Sequence, residues 1–204
     1  MDILNDERSP LIVKEIELGD YVVNVSTVED IVKMSVGVVN GVKAGIADVF
    51  FIGKTVNREV NINNLVAIDV KKTGKPYKYK ICNVCHILKE DYVDFQINQT
   101  DALGRKTTRP SCNSCREVID GVKLSWYEKK RMEINKPCHV YICPICQKAS
   151  IPFVTANYVI DHNHATGQAR EWICDSCNTG LGRFKDDIGI MQRAIEYLKK
   201  HNQD

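Results

Sequence analysis

The stretch from Ile142 to Phe184 reads ICPICQKASIPFVTANYVIDHNHATGQAREWICDSCNTGLGRF. It holds two Cys-x-x-Cys knuckles, Cys143/Cys146 and Cys174/Cys177, with 27 residues between them. Four soft thiolates so spaced match a closed tetrahedral zinc site, structural because no ligand position stays open. Between the knuckles lies Asp161-His162-Asn163-His164, and Asn178 follows the last cysteine directly. A zinc that pins both ends of the insert together is expected to bring Asp161 and His162 near Asn178. Asp161 and Asn178 offer hard oxygens, which suit one Mg²⁺ or Mn²⁺ with water and phosphate completing the shell. His162 titrates near neutrality and can take a proton from an attacking water. The alternative is a zinc ribbon that binds nucleic acid or protein without catalysis. Such a ribbon has no need for Asp-His-x-His in its insert.

The whole chain sets the bounds. Its 204 residues allow one large domain or two or three small ones, and 44% hydrophobic with 26% charged residues is an ordinary globular composition. No run of 18 apolar residues occurs and the chain starts MDILNDERSP, so neither a membrane span nor a secretory signal is expected. That points to the cytoplasm, where thiols stay reduced, and eight of the nine cysteines fall in four Cys-x-x-Cys pairs. They read as metal ligands, two zinc ions per chain, with Cys138 left over as a free thiol. Net charge is only +2; residues 1–75 carry 9 Lys and Arg against 11 Asp and Glu, residues 76–204 carry 19 against 15. Each zinc with four thiolates adds a formal −2, so contact with DNA must rest on how the bases cluster.

Residues 1–18 read as an arm punctuated by Pro10. From Tyr21 to Lys72 come short apolar segments, YVVNV, KMSVGVV, DVFFIG, REVNI and LVAIDV, with Asn40-Gly41 as a hairpin signal. We expect an N-terminal antiparallel β-barrel over 1–75, with Lys71 to Pro76 as its linker. An internal repeat follows. Cys82-x2-Cys85, 26 residues and Cys112-x2-Cys115 form a second zinc set over 76–136, ahead of the unit at 137–204. With Gly104 aligned to Gly167, Asn98 stands for Asp161, Gln99 for His162, Asp101 for His164 and Arg116 for Asn178. The first repeat therefore keeps a zinc frame without the base or the hard-metal pair, and its Arg105, Lys106, Arg109 and Arg116 remain available for phosphates. Helices are expected over Val122–Glu133 and after Asp186 or Asp187, the latter with Ile188, Met191, Ile195 and Leu198 as a core stripe. The fold class is α+β.

The residues from Ile142 to Phe184 resemble the zinc-containing ββα-metal, or His-Asn-His, nucleases, endonuclease VII-like forms most closely. The resemblance implies a hairpin and helix braced by zinc, His162 as general base, Asp161 and Asn178 on the catalytic cation, and cuts leaving 5′-phosphate and 3′-hydroxyl ends. It implies an arginine at the place of Arg170, and phosphate contacts from His164, Arg170 and Arg116 are expected. Neighbours on a strand point to opposite faces, so spacing alone does not bring Asp161 and His162 to one phosphate; the resemblance implies that the pair sits at a strand end beside an irregular loop. The order of β-rich module, inert repeat and active unit is similar to type II restriction endonucleases of this class, implying a homodimer that cuts double-stranded DNA at a short palindromic site. An endonuclease VII-like Holliday junction resolvase is the second reading.

Overall fold

The computed structural model describes residues 9–202, and the chain divides into two compact units, Met1–Glu117 and Val118–Asp204. In the first unit, β1 (Leu11–Ile12), β2 (Tyr21–Asn24), β3 (Val36–Lys43), β4 (Ile46–Phe51), β5 (Val56–Asn61) and β6 (Leu65–Ile68) form one antiparallel sheet, in the order β1-β6-β2-β3-β4-β5. Alternation builds it: in β4, Ala47, Val49 and Phe51 are buried while the residues between them are more exposed. Strand β2 breaks that rule, with Val22 and Val23 both fully buried. Val22 packs with Val39, Val49 and Phe51, whereas Val23 packs on the other face with Val36, Tyr79 and Leu88. That second face is covered by the hairpin of β7 (Tyr79–Ile81) and β8 (Leu88–Glu90).

Two expectations need correction here. The described strands do not close into a barrel: the sheet ends at β1 and β5, and no ladder joins them. Covering one face with the β7–β8 hairpin buries the apolar residues without closure. Nor is Asn40-Gly41 a turn. It lies inside β3 at a register shift between Val39 and Gly41, while Ala44 (φ 51°) and Gly45 (φ 77°) turn the chain into β4. Two successive left-handed residues match the right-handed twist of a hairpin, so Ala44-Gly45 takes the turn and Asn40 becomes the bulge. Buried Asn24 ties the adjoining loop: its Nδ2 donates to Ser26 O (2.7 Å) and Val32 O (3.0 Å), and its Oδ1 accepts from Ser35 N (2.8 Å).

The first four-cysteine repeat continues through β9 (Ile97–Thr100), β10 (Lys106–Thr108) and α1 (Asn113–Asp120). Its Cys82 and Cys112 are buried against Phe95.

The second unit contains α2 (Trp126–Glu133), β11 (Tyr141–Ile142), β12 (Ala149–Ser150), β13 (Tyr158–His162), β14 (Ala169–Cys174), α3 (Asp175–Arg183) and α4 (Ile188–His201). Helix α2 starts later than expected because Ser125 caps it, accepting from Glu128 N at 3.1 Å. The core is Met132, Cys143, Tyr158, Trp172 and Ile173. Trp172 Nε1 donates to Met132 O at 3.0 Å, fixing α2 to the hairpin. Truncating such a side chain costs about 3–5 kcal/mol. The stripe expected to make α4 a core helix is not buried: Ile188 is 83% exposed, Ile195 46% and Leu198 54%. Of that stripe only Met191 is half-buried, together with Ile190 and Ala194. Periodicity reports amphipathicity, and it does not say which face a neighbour covers. Among the described residues no helix is long and apolar enough to cross a membrane.

Candidate active site

Each Cys-x-x-Cys repeat gathers its four sulfurs. The ligand atoms of Cys82, Cys85, Cys112 and Cys115 lie within 4.8 Å of one another, as do those of Cys143, Cys146, Cys174 and Cys177. In the second set burial pushes the Cys143 thiol up, yet backbone N–H groups of Cys174, Cys146 and Ile145 bring it down to about 6. Burial and the crowding of Cys174, Cys146 and Cys143 push Cys177 up to about 12. The first set repeats this split: Cys82 falls to about 6 against its burial, and burial raises Cys85 to about 11. Sulfurs gathered this closely offer a divalent cation the soft donor set of a thiolate metal site. A base does approach one set. Burial opposes the Lys89 charge, but Cys112, Asp94 and Cys85 draw its pKa above the usual lysine range.

The second set frames a hairpin and a helix. Cys174 ends β14, α3 begins at Asp175, and Cys177 lies in its first turn with Asn178 next to it. Helix α3 packs on both β13 and β14. In the first repeat, Arg116 holds the same fourth position of α1 that Asn178 holds in α3. Burial and then the charge of Arg109 lower the Arg116 pKa, so two guanidinium groups stand close there.

Strands β13 and β14 pair regularly at Tyr158–Cys174, Val159–Ile173 and Ile160–Trp172, but His162 then pairs with Ala169. Two steps along β13 therefore match three along β14, a bulge that leaves Arg170 and Glu171 both exposed. A bulge sharpens local twist, so Asp161 and His162 need not point strictly apart. Asp161 is buried (6% exposed) and its carboxylate accepts from Arg170 Nη1 at 3.1 Å. His162 and His164 lie on one side with ring centroids 4.6 Å apart. Burial, then the neighbouring His164 and Arg170, hold the His162 pKa below its ordinary 6.5, against Asp161 and a backbone hydrogen bond at Val122. The imidazole is thus kept neutral, the form that accepts a proton.

Three groups outside the motif shape this site, and motif spacing had no means of finding them. Asp186, in the turn between α3 and α4, accepts from Arg170 Nη2 at 2.7 Å and lies 3.9 Å from His164 Nε2. Glu128 of α2 accepts from Ala169 N at 2.8 Å, bracing the residue paired with His162. The chain at Asp120–Val122 buttresses His164: Asp120 O lies 2.9 Å from its Nδ1, and Val122 N donates to its backbone carbonyl at 2.7 Å. Of the residues singled out by sequence, Asp161, Arg170, His162 and His164 come together, Asn178 sits on the adjoining helix, and Arg116 lies in the first repeat.

Comparison with known proteins identifies the fold family. Residues 69–121 match the family model of the His-Me finger endonuclease beta4-alpha2 domain, and residues 120–200 match that of recombination endonuclease VII. A solved structure, that of the ββα-Me type II restriction endonuclease Hpy99I, superposes with a TM-score of 0.85 at 54% identity, covering 92% of this chain and 100% of that one. The chain belongs to the ββα-Me type II restriction endonucleases. This ββα-Me endonuclease also matches the Gene 59 proteins of Mycobacterium phages D29 and L5, each 42% identical, over 59 and 57 residues. The match takes in 28% of this chain and 34% of each phage protein, so it spans about a third of the curated relatives. The ββα-Me endonucleases use a divalent metal, and this chain carries the fold with its two four-cysteine groups.

Proposed function

We propose that this ββα-Me endonuclease hydrolyses phosphodiester bonds in double-stranded DNA at a short palindromic site, with His162 as general base. The observation that carries the reading is the neutral, half-buried His162 beside the buried Asp161 carboxylate on one irregular strand. His162 takes the proton of the attacking water, and its environment keeps it ready to do so at neutral pH. Asp161 and Asn178 hold Mg²⁺ or Mn²⁺; their carboxylate and amide oxygens are the hard donors such ions prefer. When bound there, the cation supplies positive charge for the scissile phosphate and the departing 3′ oxygen. His164 and Arg170 face the same phosphate. The soft four-sulfur sets hold zinc, which is structural.

The first repeat has no base, and we assign it to holding DNA, with Arg116 and Arg109 toward the backbone phosphates. One working centre per chain and two antiparallel strands in the substrate favour a homodimer, since a two-fold axis relates the strands. A cytoplasmic setting fits the eight reduced thiols. A second reading, resolution of four-way junctions, is favoured by the recombination endonuclease VII match over 120–200. Digestion of a plasmid panel with Mg²⁺, followed by sequencing of the ends, tests the main reading: discrete linear products with one common palindrome are expected. Cleavage of a four-way junction but not of linear duplex would replace it with the second.

A further inference from the structure

We propose that Asp186 is a positioning residue: it is the second anchor of Arg170, and by sharing that guanidinium with Asp161 it sets how readily Asp161 accepts a divalent cation. The proposal rests on the reading of Asp161 as a ligand of that cation. Arg170 spans two carboxylates, with Nη1 at 3.1 Å from Asp161 Oδ2 and Nη2 at 2.7 Å from Asp186 Oδ2. The carboxylate assigned to the catalytic cation is therefore already paired with a cation of the protein. A divalent ion arriving at Asp161 meets the charge of Arg170, and like charges so close repel. Asp186 gives the guanidinium a place to stay when Asp161 turns to the ion.

The backbone around Asp186 is built for this reach. Lys185 (φ 58°) and Asp186 (φ 53°) are two successive non-glycine residues in the left-handed region. Each such residue costs about 1–2 kcal/mol, so the turn is held by its surroundings rather than by preference. Lys185 N donates to Gly182 O at 3.1 Å and Asp186 N to Leu181 O at 3.0 Å, closing the end of α3. Asp187 then caps α4, accepting from Ile190 N at 2.7 Å. A direct passage from α3 into α4 needs one capping carboxylate, which Asp187 supplies. Asp186 instead turns back to the hairpin and meets Arg170 and His164.

The test is Mn²⁺ binding followed by electron paramagnetic resonance, without DNA, in zinc-loaded full-length protein at about 0.15 M salt. The Debye length is then about 8 Å, so any direct pull of the Asp186 charge on the ion is damped but not removed, and the Arg170→Gln background measures it. Arg170→Gln removes the competing cation and is expected to tighten Mn²⁺ binding by about two- to fivefold, the range that a partly exposed ion pair supports. Asp186→Asn leaves Arg170 leaning on Asp161 alone and should weaken binding by a similar factor. In the double variant the loss from Asp186→Asn should shrink to less than about twofold, because the effect passes through Arg170. Asn tolerates the left-handed region better than most residues, so Asp186→Asn is expected to fold, with zinc content as the check. Equal weakening in both backgrounds, or an Arg170→Gln variant that binds no tighter, overturns the proposal. Asp161→Asn separates the two levels. If it keeps full Mn²⁺ affinity, the ligand assignment falls and this proposal with it. If it abolishes binding while Arg170 and Asp186 show no coupling, this proposal alone falls.

Discussion

Gly121→Ala should disable the enzyme without touching any group that does chemistry. Gly121 has φ 56°, and a methyl group there would lie 2.2 Å from the backbone oxygen of His164 and 3.0 Å from its carbonyl carbon. Ordinary contact begins near about 3.4 Å, so the two backbones must part by roughly 1 Å. That shift strains both ties of this segment to His164, from Asp120 O and from Val122 N. At about 0.5–1.5 kcal/mol for each bond, with about 1–2 kcal/mol for a left-handed alanine, the sum is roughly 2–5 kcal/mol. Gly104→Ala isolates the backbone part, since Gly104 has φ 74° and nothing within 4 Å of its added carbon. It should cost only about 1–2 kcal/mol. The catalytic loss follows from displacement: His162 and His164 stack at 4.6 Å, and an error near 1 Å in such a group can cost about 10²-fold in rate. Chemical denaturation of both variants and single-turnover cleavage at saturating enzyme are the assays. A Gly121→Ala enzyme within about threefold of wild-type rate, or no less stable than Gly104→Ala, refutes the argument that this contact positions the histidines.

Other outcomes follow from the same structure. His162→Ala should lower cleavage by about 10²–10⁴-fold while specific DNA binding persists, and a rate within about threefold of wild type would exclude His162 as base. Because the folded His162 pKa lies below 6.5, the acidic limb of a kcat/KM–pH profile should fall below that value, with a plateau above it. The same shift means that His162 contributes its stability above its unfolded pKa and loses it as pH falls through the folded value; a limb at or above 6.5 contradicts the assignment. Metal analysis should find two zinc ions per chain in active protein, and strong chelation should unfold the cysteine-framed hairpins; one zinc or none in folded, active enzyme removes the zinc assignment. Mixing wild type with His162→Ala should accumulate nicked single-site plasmid if subunits exchange, whereas linear product alone in proportion to wild type argues against a two-centre dimer.

What could be read from the sequence was the part written in side-chain chemistry at short range. The knuckles declare themselves because four cysteines at that spacing are rare outside metal sites, and Asp161, His162 and Asn178 stand out as candidates beside them. Asp186 could not be found that way: a lone acidic residue in a turn is commonplace, and only folding through two left-handed residues brings it to Arg170. Glu128 lies 41 residues from Ala169 and meets its N–H, a long-range contact with no motif. Apolar alternation located the strands of the N-terminal sheet but not its closure, because closure depends on pairing between the outermost strands. The α4 stripe fails for a like reason: a helical period states that one face is apolar and leaves open whether anything covers it.

The matched helix positions of Arg116 and Asn178 bear on how such an enzyme fails in a cell. The first repeat has the sulfur-framed hairpin and helix with Arg116 at the helix position of Asn178 and, in the sequence alignment, Gln99 in place of His162. Shape and chemistry are held by separate atoms, so a point change at His162 would yield a competitor rather than an absence. In the dimer proposed above, such a copy would still fold, pair with an intact partner and occupy the same DNA. Its harm would scale with its abundance relative to the intact copy, as for a dominant inhibitor.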